Sequence, residues 1–206
     1  MANVSIKYKT IVHFLLSLLV VLYWLVSTDS SNYSWNPKGE ELDLIDTATW
    51  KIFLFKCTFW LILTNILIYS LFELIRKSLA KVLFSFFIFA ISLIFIKPFI
   101  NRECADYYFT IFKNQSVSEE YIDDVIYEAG YYIGLKINNE LLNSDFKYRD
   151  YAIGTLADIE YYPSIENLIR LLNKEETPQH TKDRIVTELI EFGTDQSLNA
   201  VEEYNS

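Results

Sequence analysis

Three long apolar stretches, interrupted by few charged residues, occupy the first half of the chain. An α-helix needs about 20 mostly apolar residues to cross the roughly 30 Å hydrocarbon core of a bilayer. The pattern predicts three membrane-spanning helices, at residues 10–27, 51–75 and 81–100. We expect these helices and their connections to form a membrane domain of residues 1–100.

The second half of the chain has a different pattern. In residues 101–206, apolar side chains recur at helical intervals, for example at Ile165, Leu168 and Leu172, and Gly193 stands where a helix would end. Such spacing marks the buried face of an amphipathic helix, and glycine is the commonest residue just beyond a helix C-terminus. We therefore expect an all-α protein, with three transmembrane helices followed by a small extramembrane helical domain.

The helices at the end of the chain repeat with a period of 33 residues. A shift of that size aligns Leu156 with Leu189 and Leu168 with Val201. Helix pairs that recur at such a period are typical of α-solenoids, in which each pair stacks on the next.

One copy of the repeat resembles a known family. The segment "RDYAIGTLADIEYYPSIENLIRLL", from Arg149 to Leu172, resembles a short HEAT-like repeat, although Ala157 and Glu160 stand where that repeat has glycines. The resemblance covers residues 146–204 and implies a HEAT-like α-solenoid. It also implies a concave protein-binding surface lined by the second helix of each pair. The partner-binding residues implied in this way are Asn167, Arg170, Lys174, Asn199 and Glu203.

Charge is distributed unevenly along the chain, whose formal net charge is −9. Residues 101–206 contain 21 acidic and nine basic side chains, and residues 28–50 form an acidic loop with five acidic residues and one basic residue. Nucleic-acid binding needs a basic face that replaces counterions, so the composition argues against it. The expected partners are the lipid bilayer and a basic protein.

The short connection between the second and third apolar stretches carries Arg76, Lys77 and Lys81. Short cytoplasmic loops of membrane proteins are enriched in lysine and arginine. The connection and the N-terminus should therefore face the cytoplasm, while residues 101–206 lie outside it, in the periplasm of a bacterium whose inner membrane holds the protein. Four basic residues flank the opposite ends of the stretches and oppose this orientation: Lys51, Lys56, Lys97 and Arg102.

Two polar residues within the second apolar stretch have different expected roles. Asn65 lies near its middle, where a side chain cannot reach water, and we expect it to form a hydrogen bond with another membrane helix, worth about 0.6 kcal/mol on average. Lys56 lies nearer one end, and its long stem lets the ammonium group reach the interface.

No catalytic or metal-binding pattern is found in the sequence. The two histidines, His13 and His180, are not part of a recognisable triad, and the five glycines form no phosphate-binding loop. Cys57 and Cys104 give neither a disulfide framework nor a zinc motif. We expect no enzymatic activity, no cofactor and no metal.

Adjacent tyrosines recur in the second half, at positions 107–108, 131–132 and 161–162. Neighbouring residues on a helix point in different directions, so one ring of each pair is expected in the core. The other is available for an interface, where tyrosine is enriched.

These features favour a membrane-anchored, non-enzymatic protein-binding module. Its most specific form is a bacterial immunity protein that neutralises a membrane- or periplasm-acting toxin, by analogy of size and topology with three-span immunity proteins. The alternative is an accessory or scaffold subunit of an inner-membrane secretion or transport complex.

The predicted orientation is testable with reporters fused after Ser206. A periplasm-dependent phosphatase should be active there, and a fluorescent protein that matures only in the cytoplasm should stay dark, because the basic loop holds the other side of the helices in the cytoplasm. The opposite pair of readings would show that the orientation is reversed.

Overall fold

The computed structural model describes residues 2–34 and 39–206, and it confirms the all-helical class. Within these two ranges there is no strand, and Ser34 and Ser116 form an isolated bridge. Residues 35–38, inside the predicted acidic loop, lie outside the described residues.

Three helices are long and apolar enough to cross a membrane, as the sequence predicted. The first is α1, Ala2–Ser27, and the second is α2, Gly39–Ile75. The third is continuous and comprises α3, Leu79–Ile91, a π-helical turn, Ser92–Ile96, and α4, Lys97–Asn114.

All three helices are longer than the sequence predicted, and α1 begins at Ala2 rather than near residue 10. Helix α2 begins at Gly39 rather than near residue 51, and Glu40 and Glu41 in its first turn favour the positive end of the helix dipole. The third helix continues past Pro98, which lacks an N–H group and crowds the carbonyl four residues before it. The wider π-helical turn just before Pro98 accommodates both effects.

The chain divides into two compact units. The first contains Met1–Asn32 and Thr49–Cys104, and the second contains Tyr33–Ala48 and Ala105–Ser206. Part of the predicted outer loop, residues 28–50, therefore belongs to the second unit.

In the first unit, α2 contributes most of the buried apolar side chains, such as Ile52, Phe59 and Leu63. Many large apolar side chains of α1 and α3 are exposed instead. The hydroxyl groups of Ser85 and Ser92 are buried and donate hydrogen bonds to carbonyls of their own helix. The unit thus presents an apolar outer surface.

Short helices build the second unit around a closed apolar core. Fully buried side chains include Phe112, Ile126, Ile137 and Leu168. The helices that follow α4 are α5, Asp124–Ala129, α6, Gly134–Glu140, α7, Arg149–Ile153, α8, Ile165–Leu172, α9, Gln179–Phe192, and α10, Asp195–Asn205. Single 3-10 turns lie at Glu119–Tyr121, Gly130–Ile133 and Tyr162–Ser164.

The 33-residue period reappears in the backbone of two turns. Glu160 and Gly193 both have a positive φ, of 56° and 59°, and each donates its N–H to the carbonyl three residues earlier, on Ala157 and Ile190. Glycine adopts this conformation without penalty, whereas another L-residue is strained by about 1–2 kcal/mol. The glutamate therefore occupies a turn suited to glycine.

The two copies of the repeat differ elsewhere. Helix α7 ends at Ile153 and is followed by turns up to Glu160, whereas α9 is continuous. Leu198 is 40% exposed, although Ile165, 33 residues earlier, is buried. Outside the repeat, Ser116 N–H donates to the Tyr33 carbonyl, and its hydroxyl group lies 3.2 Å from that of Ser34.

Substitutions in the two matching turns should have opposite effects on stability. Glu160→Gly should stabilise the second unit by about 0.5–1 kcal/mol, because it removes the strain of a positive φ. Gly193→Ala should destabilise it by about 1 kcal/mol, because it introduces that strain. Urea titration of the detergent-solubilised chain, read by pulse proteolysis, measures both. A destabilising Glu160→Gly would show that the side chain outweighs the backbone effect.

Candidate functional site

The partner-binding residues implied by the repeat lie on α8, just beyond it and on α10. Asn167 is partly buried and donates to both the carbonyl and the side-chain oxygen of Asn138, at 3.1 and 2.9 Å. This contact ties α8 to α6, so Asn167 already has a structural role.

The other four implied residues are exposed. Arg170 forms an ion pair with Glu166 one turn earlier on α8, and Lys174 pairs with Glu176 at 3.0 Å. Asn199 and Glu203 lie one turn apart on the outer face of α10. Helices α8 and α10 contact each other, but no contact joins these side chains across the two helices within the described residues.

A second candidate surface contains exposed aromatic rings. Tyr131 and Tyr162 are 50% and 51% exposed, and Tyr127 and Leu135 are exposed to a similar extent. We call these four residues the tyrosine surface. The ring of Tyr131 packs on the ring of the buried Tyr161, with centroids 5.2 Å apart. Tyr161 directly precedes Tyr162, so the buried ring connects this surface to the core.

Acidic groups accompany the tyrosine surface. The Tyr127 hydroxyl donates to Asp158 at 2.8 Å. Glu160 is exposed two residues before Tyr162 and accepts its N–H at 3.1 Å through the backbone carbonyl. Aromatic rings beside carboxylates suit a partner that brings both apolar and cationic side chains.

The sequence contains a partial signal for this surface. The paired tyrosines predicted one buried ring in each pair. Tyr108 and Tyr161 are buried as predicted, but the prediction is wrong for the pair 131–132, in which neither ring is buried. Tyr127 carries no such signal, because its position beside Asp158 depends on the tertiary fold.

A buried carboxylate lies beneath the turns after α7. Glu188 on α9 is 2% exposed, and its Oε1 accepts the Ala157 N–H at 2.5 Å. It lines a cavity of about 440 Å³ together with Gly154, His180 and Arg184. Glu188 therefore connects α9 to the turn that carries Asp158 and Glu160.

Burial raises the pKa of Glu188 to about 7, and the carboxylates of Glu191 and Asp158 add to the shift. The Ala157 hydrogen bond and Arg184 oppose it. Burial also raises the pKa of Asp123, whose Oδ1 is enclosed without a hydrogen-bond partner among the described residues.

The neighbouring polar groups form ordinary structural contacts. His180 lies 3.0 Å from Asp150, which also accepts a hydrogen bond from Thr181. In residues 2–34 and 39–206, no group of three histidine, cysteine or acidic side chains is placed to hold a metal ion.

In the first unit, Asn65 joins α1 and α2. Its Oδ1 lies 2.6 Å from His13 Nδ1, and its Nδ2 donates to Ser17 Oγ at 3.4 Å and to the Leu61 carbonyl at 2.8 Å. His13, for which the sequence analysis predicted no role, is thus part of this contact.

A second polar contact lies at the basic connection between α2 and α3. Glu73 is 3% exposed and pairs with Arg76 at 3.3 Å and with Lys81 at 3.7 Å. The buried Glu73 thus forms ion pairs with two of the three basic residues of this connection.

Comparison with known proteins gives no family assignment: no family model matches the chain, and no curated protein or solved structure is significantly similar to it. The residues and their geometry therefore carry the functional argument.

Glu188 should make the stability of the second unit depend on pH. A carboxyl group with a raised pKa in the folded state favours the protonated form, so stability falls as pH rises from about 4.5 to about 7. Glu188→Gln cannot ionise. Its stability advantage should grow from near zero below this range to on the order of 2–3 kcal/mol above it.

Hydrogen exchange of the Ala157 amide, measured across this pH range, gives a local readout of the same effect. The exposed Glu202 on α10 provides a matched control, because Glu202→Gln removes the same charge without a buried carboxylate. Equal pH profiles for wild type and Glu188→Gln would contradict the assignment.

Proposed function

We propose that the chain is a membrane-anchored, non-enzymatic protein-binding module, most specifically a bacterial immunity protein. Its α1–α4 helices anchor it in the bacterial inner membrane, and its second unit recognises a basic partner on the periplasmic side. The observation that carries the proposal is the tyrosine surface with its adjacent carboxylates, in a region where acidic residues outnumber basic ones by 21 to nine.

The anchoring part rests on length and exposure. The apolar helices α1, α2 and α3–α4 have sufficient length for a bilayer. In water, the exposed leucine, isoleucine and phenylalanine side chains would cost about 25 cal/mol for each Å² of apolar surface. A hydrocarbon environment removes that cost.

The binding part rests on charge and aromatic exposure. Complementary charge accelerates association and selects among partners. Exposed tyrosines add large contact areas with little rotational freedom to lose. A partner with lysine or arginine beside an apolar side chain would match Asp158 and Tyr127, which are in contact with each other.

The second unit is also proposed to be a short HEAT-like α-solenoid. The matching turns at Glu160 and Gly193 support this architecture. Equivalent positions of the two copies, 33 residues apart, are also buried alike: Leu156 and Leu189, and Ser164 and Ser197. In that architecture, Arg170, Lys174, Asn199 and Glu203 remain the predicted concave-surface residues, an alternative location for the partner.

Within this class, an immunity protein that neutralises a membrane- or periplasm-acting toxin fits the design best. An anchored acidic unit would meet a basic, membrane-acting toxin at its site of action. The anchor raises the local concentration of the acidic surface at the bilayer.

A specific observation favours the alternative, an accessory subunit of a secretion or transport complex. No side chain in the most apolar part of α1 is buried. A neighbouring membrane subunit could cover that face as well as lipid does, and the second unit would then bind another component of the same complex.

Capture experiments with the full chain test the proposal. The detergent-solubilised chain should retain a basic protein from the cell envelope at low salt and release it near 1 M salt, where the screening length is about 3 Å. Neutralising Asp158→Asn and Glu160→Gln together should weaken capture, because these acids border the tyrosine surface. If the captured protein is a toxin, expression of the chain should protect cells from it.

Two further charge pairs serve as matched variants. Glu175→Gln with Glu176→Gln removes the same charge from the connection after α8 and should leave capture unchanged. Glu202→Gln with Glu203→Gln tests the concave surface, and a selective loss there would move the site to α10. Capture that does not respond to salt would contradict recognition by charge.

A further inference from the structure

Lys51 lies within α2, at the start of its apolar stretch and opposite the basic connection, and the proposed function assigns it no role. From Lys51 to Arg76 the chain advances about 37 Å at 1.5 Å per helical residue. That length exceeds the roughly 30 Å hydrocarbon core but not the 40–45 Å bilayer with its headgroups. The two basic residues therefore match the headgroup layers of opposite leaflets.

Lys51 is exposed and forms no salt bridge within the part of the chain that the structure describes. Lys56, five residues later, differs because its ammonium group lies 5.5 Å from the centre of the Trp24 ring on α1. Lys51 is thus placed to receive an anionic group from outside the protein.

A groove of about 400 Å³ begins at Lys51. Helix α2 lines it down to Ile62, and Ser92, Ile96 and Ile100 line its other side. The lining is apolar apart from the lysine at the end and two hydroxyl groups. One end of the groove is therefore cationic, and the rest suits a hydrocarbon chain.

The length of the groove matches one leaflet. Lys51 and Ile62 are about 16 Å apart along α2, and half of the hydrocarbon core is about 15 Å. The groove thus extends from the headgroup layer to the middle of the bilayer.

Two small side chains and a backbone irregularity create this space. Thr58 and Ser92 line the groove among much larger apolar residues. Ser92 and Ile96 are the first and last residues of the π-helical turn, and such turns are frequent at functional sites.

A neighbouring cavity provides an internal comparison. It has about 630 Å³, starts near Ile62 and is lined by Asn65, Tyr69 and Ser85 among others, with no charged side chain. It offers space for a hydrocarbon chain without a basic residue to select the headgroup.

We propose that the groove from Lys51 to Ile62 binds a phospholipid with an anionic headgroup. One acyl chain lies in the groove, and the headgroup pairs with Lys51. The proposal rests on the membrane location stated under the proposed function, but not on the identity of the protein partner. It also gives a role to one of the basic residues that oppose the predicted orientation.

Lipid retention in native mass spectrometry tests the proposal, with the full chain reconstituted in a mixture of phosphatidylglycerol and phosphatidylcholine. Wild type should retain phosphatidylglycerol preferentially. Lys51→Gln should reduce this preference about fivefold, the effect of one basic residue near a lipid surface, and Lys51→Arg should restore it. Inorganic phosphate should not displace the lipid, because it lacks the acyl chain.

Thr58→Trp should fill the groove and reduce the retention of both lipids while leaving Lys51 in place. Lys56→Gln is the matched control, with the same charge lost away from the groove and retention unchanged. Retention in Lys51→Gln and Thr58→Trp equal to wild type would overturn the proposal, as would equal retention of the two lipids by wild type.

Alkaline extraction of membranes separates this proposal from the one on which it depends. Release of the wild-type chain by alkali would overturn both the membrane anchor and the lipid site. A chain that stays in the membrane but shows no preference for phosphatidylglycerol would overturn only the lipid site.

Discussion

The apolar surface that α1 and α3 leave exposed is the constraint on which the rest of the protein depends. In hydrocarbon, every backbone polar group needs an internal partner, which a continuous helix supplies. The buried serines follow the same rule, since Ser85 and Ser92 return their hydroxyl groups to their own helix. Few polar groups remain to join one helix to another, so the contacts of Asn65 with His13 and Ser17 stand out as specific connections between α1 and α2.

The second unit follows the opposite rule, with a closed core and a charged exterior. Two features there work against maximum stability: the positive φ of Glu160 and the buried carboxylate of Glu188. Both belong to the turns after α7, which also carry Asp158. Breaking a buried charged contact is strongly destabilising even when the contact itself contributes little net stability. Glu188 thus gives a definite geometry to a segment that is largely turns, and that segment borders the tyrosine surface.

The sequence predicted what depends on local pattern. The three apolar helices follow from length and composition, and the left-handed turn at Gly193 follows from residue type. The start of α2 at Gly39 and the continuation of the third helix beyond residue 100 to Asn114 were missed, because both segments lie outside the apolar stretches from which the spans were predicted. The tyrosine surface depends on contacts between distant residues, such as Tyr127 with Asp158, which no local pattern records.

The division of the chain has a consequence for how this protein changes through evolution. The chain passes from one unit to the other after Asn32, Ala48 and Cys104. A single crossover between genes near the last of these would transfer most of the second unit but not Tyr33, whose hydroxyl donates to Glu128 at 2.7 Å. The transferred unit would then face residue 33 of the recipient gene product, and unless that residue is a tyrosine the contact with Glu128 is lost. New specificities are more accessible through point substitutions on its surface than through domain shuffling.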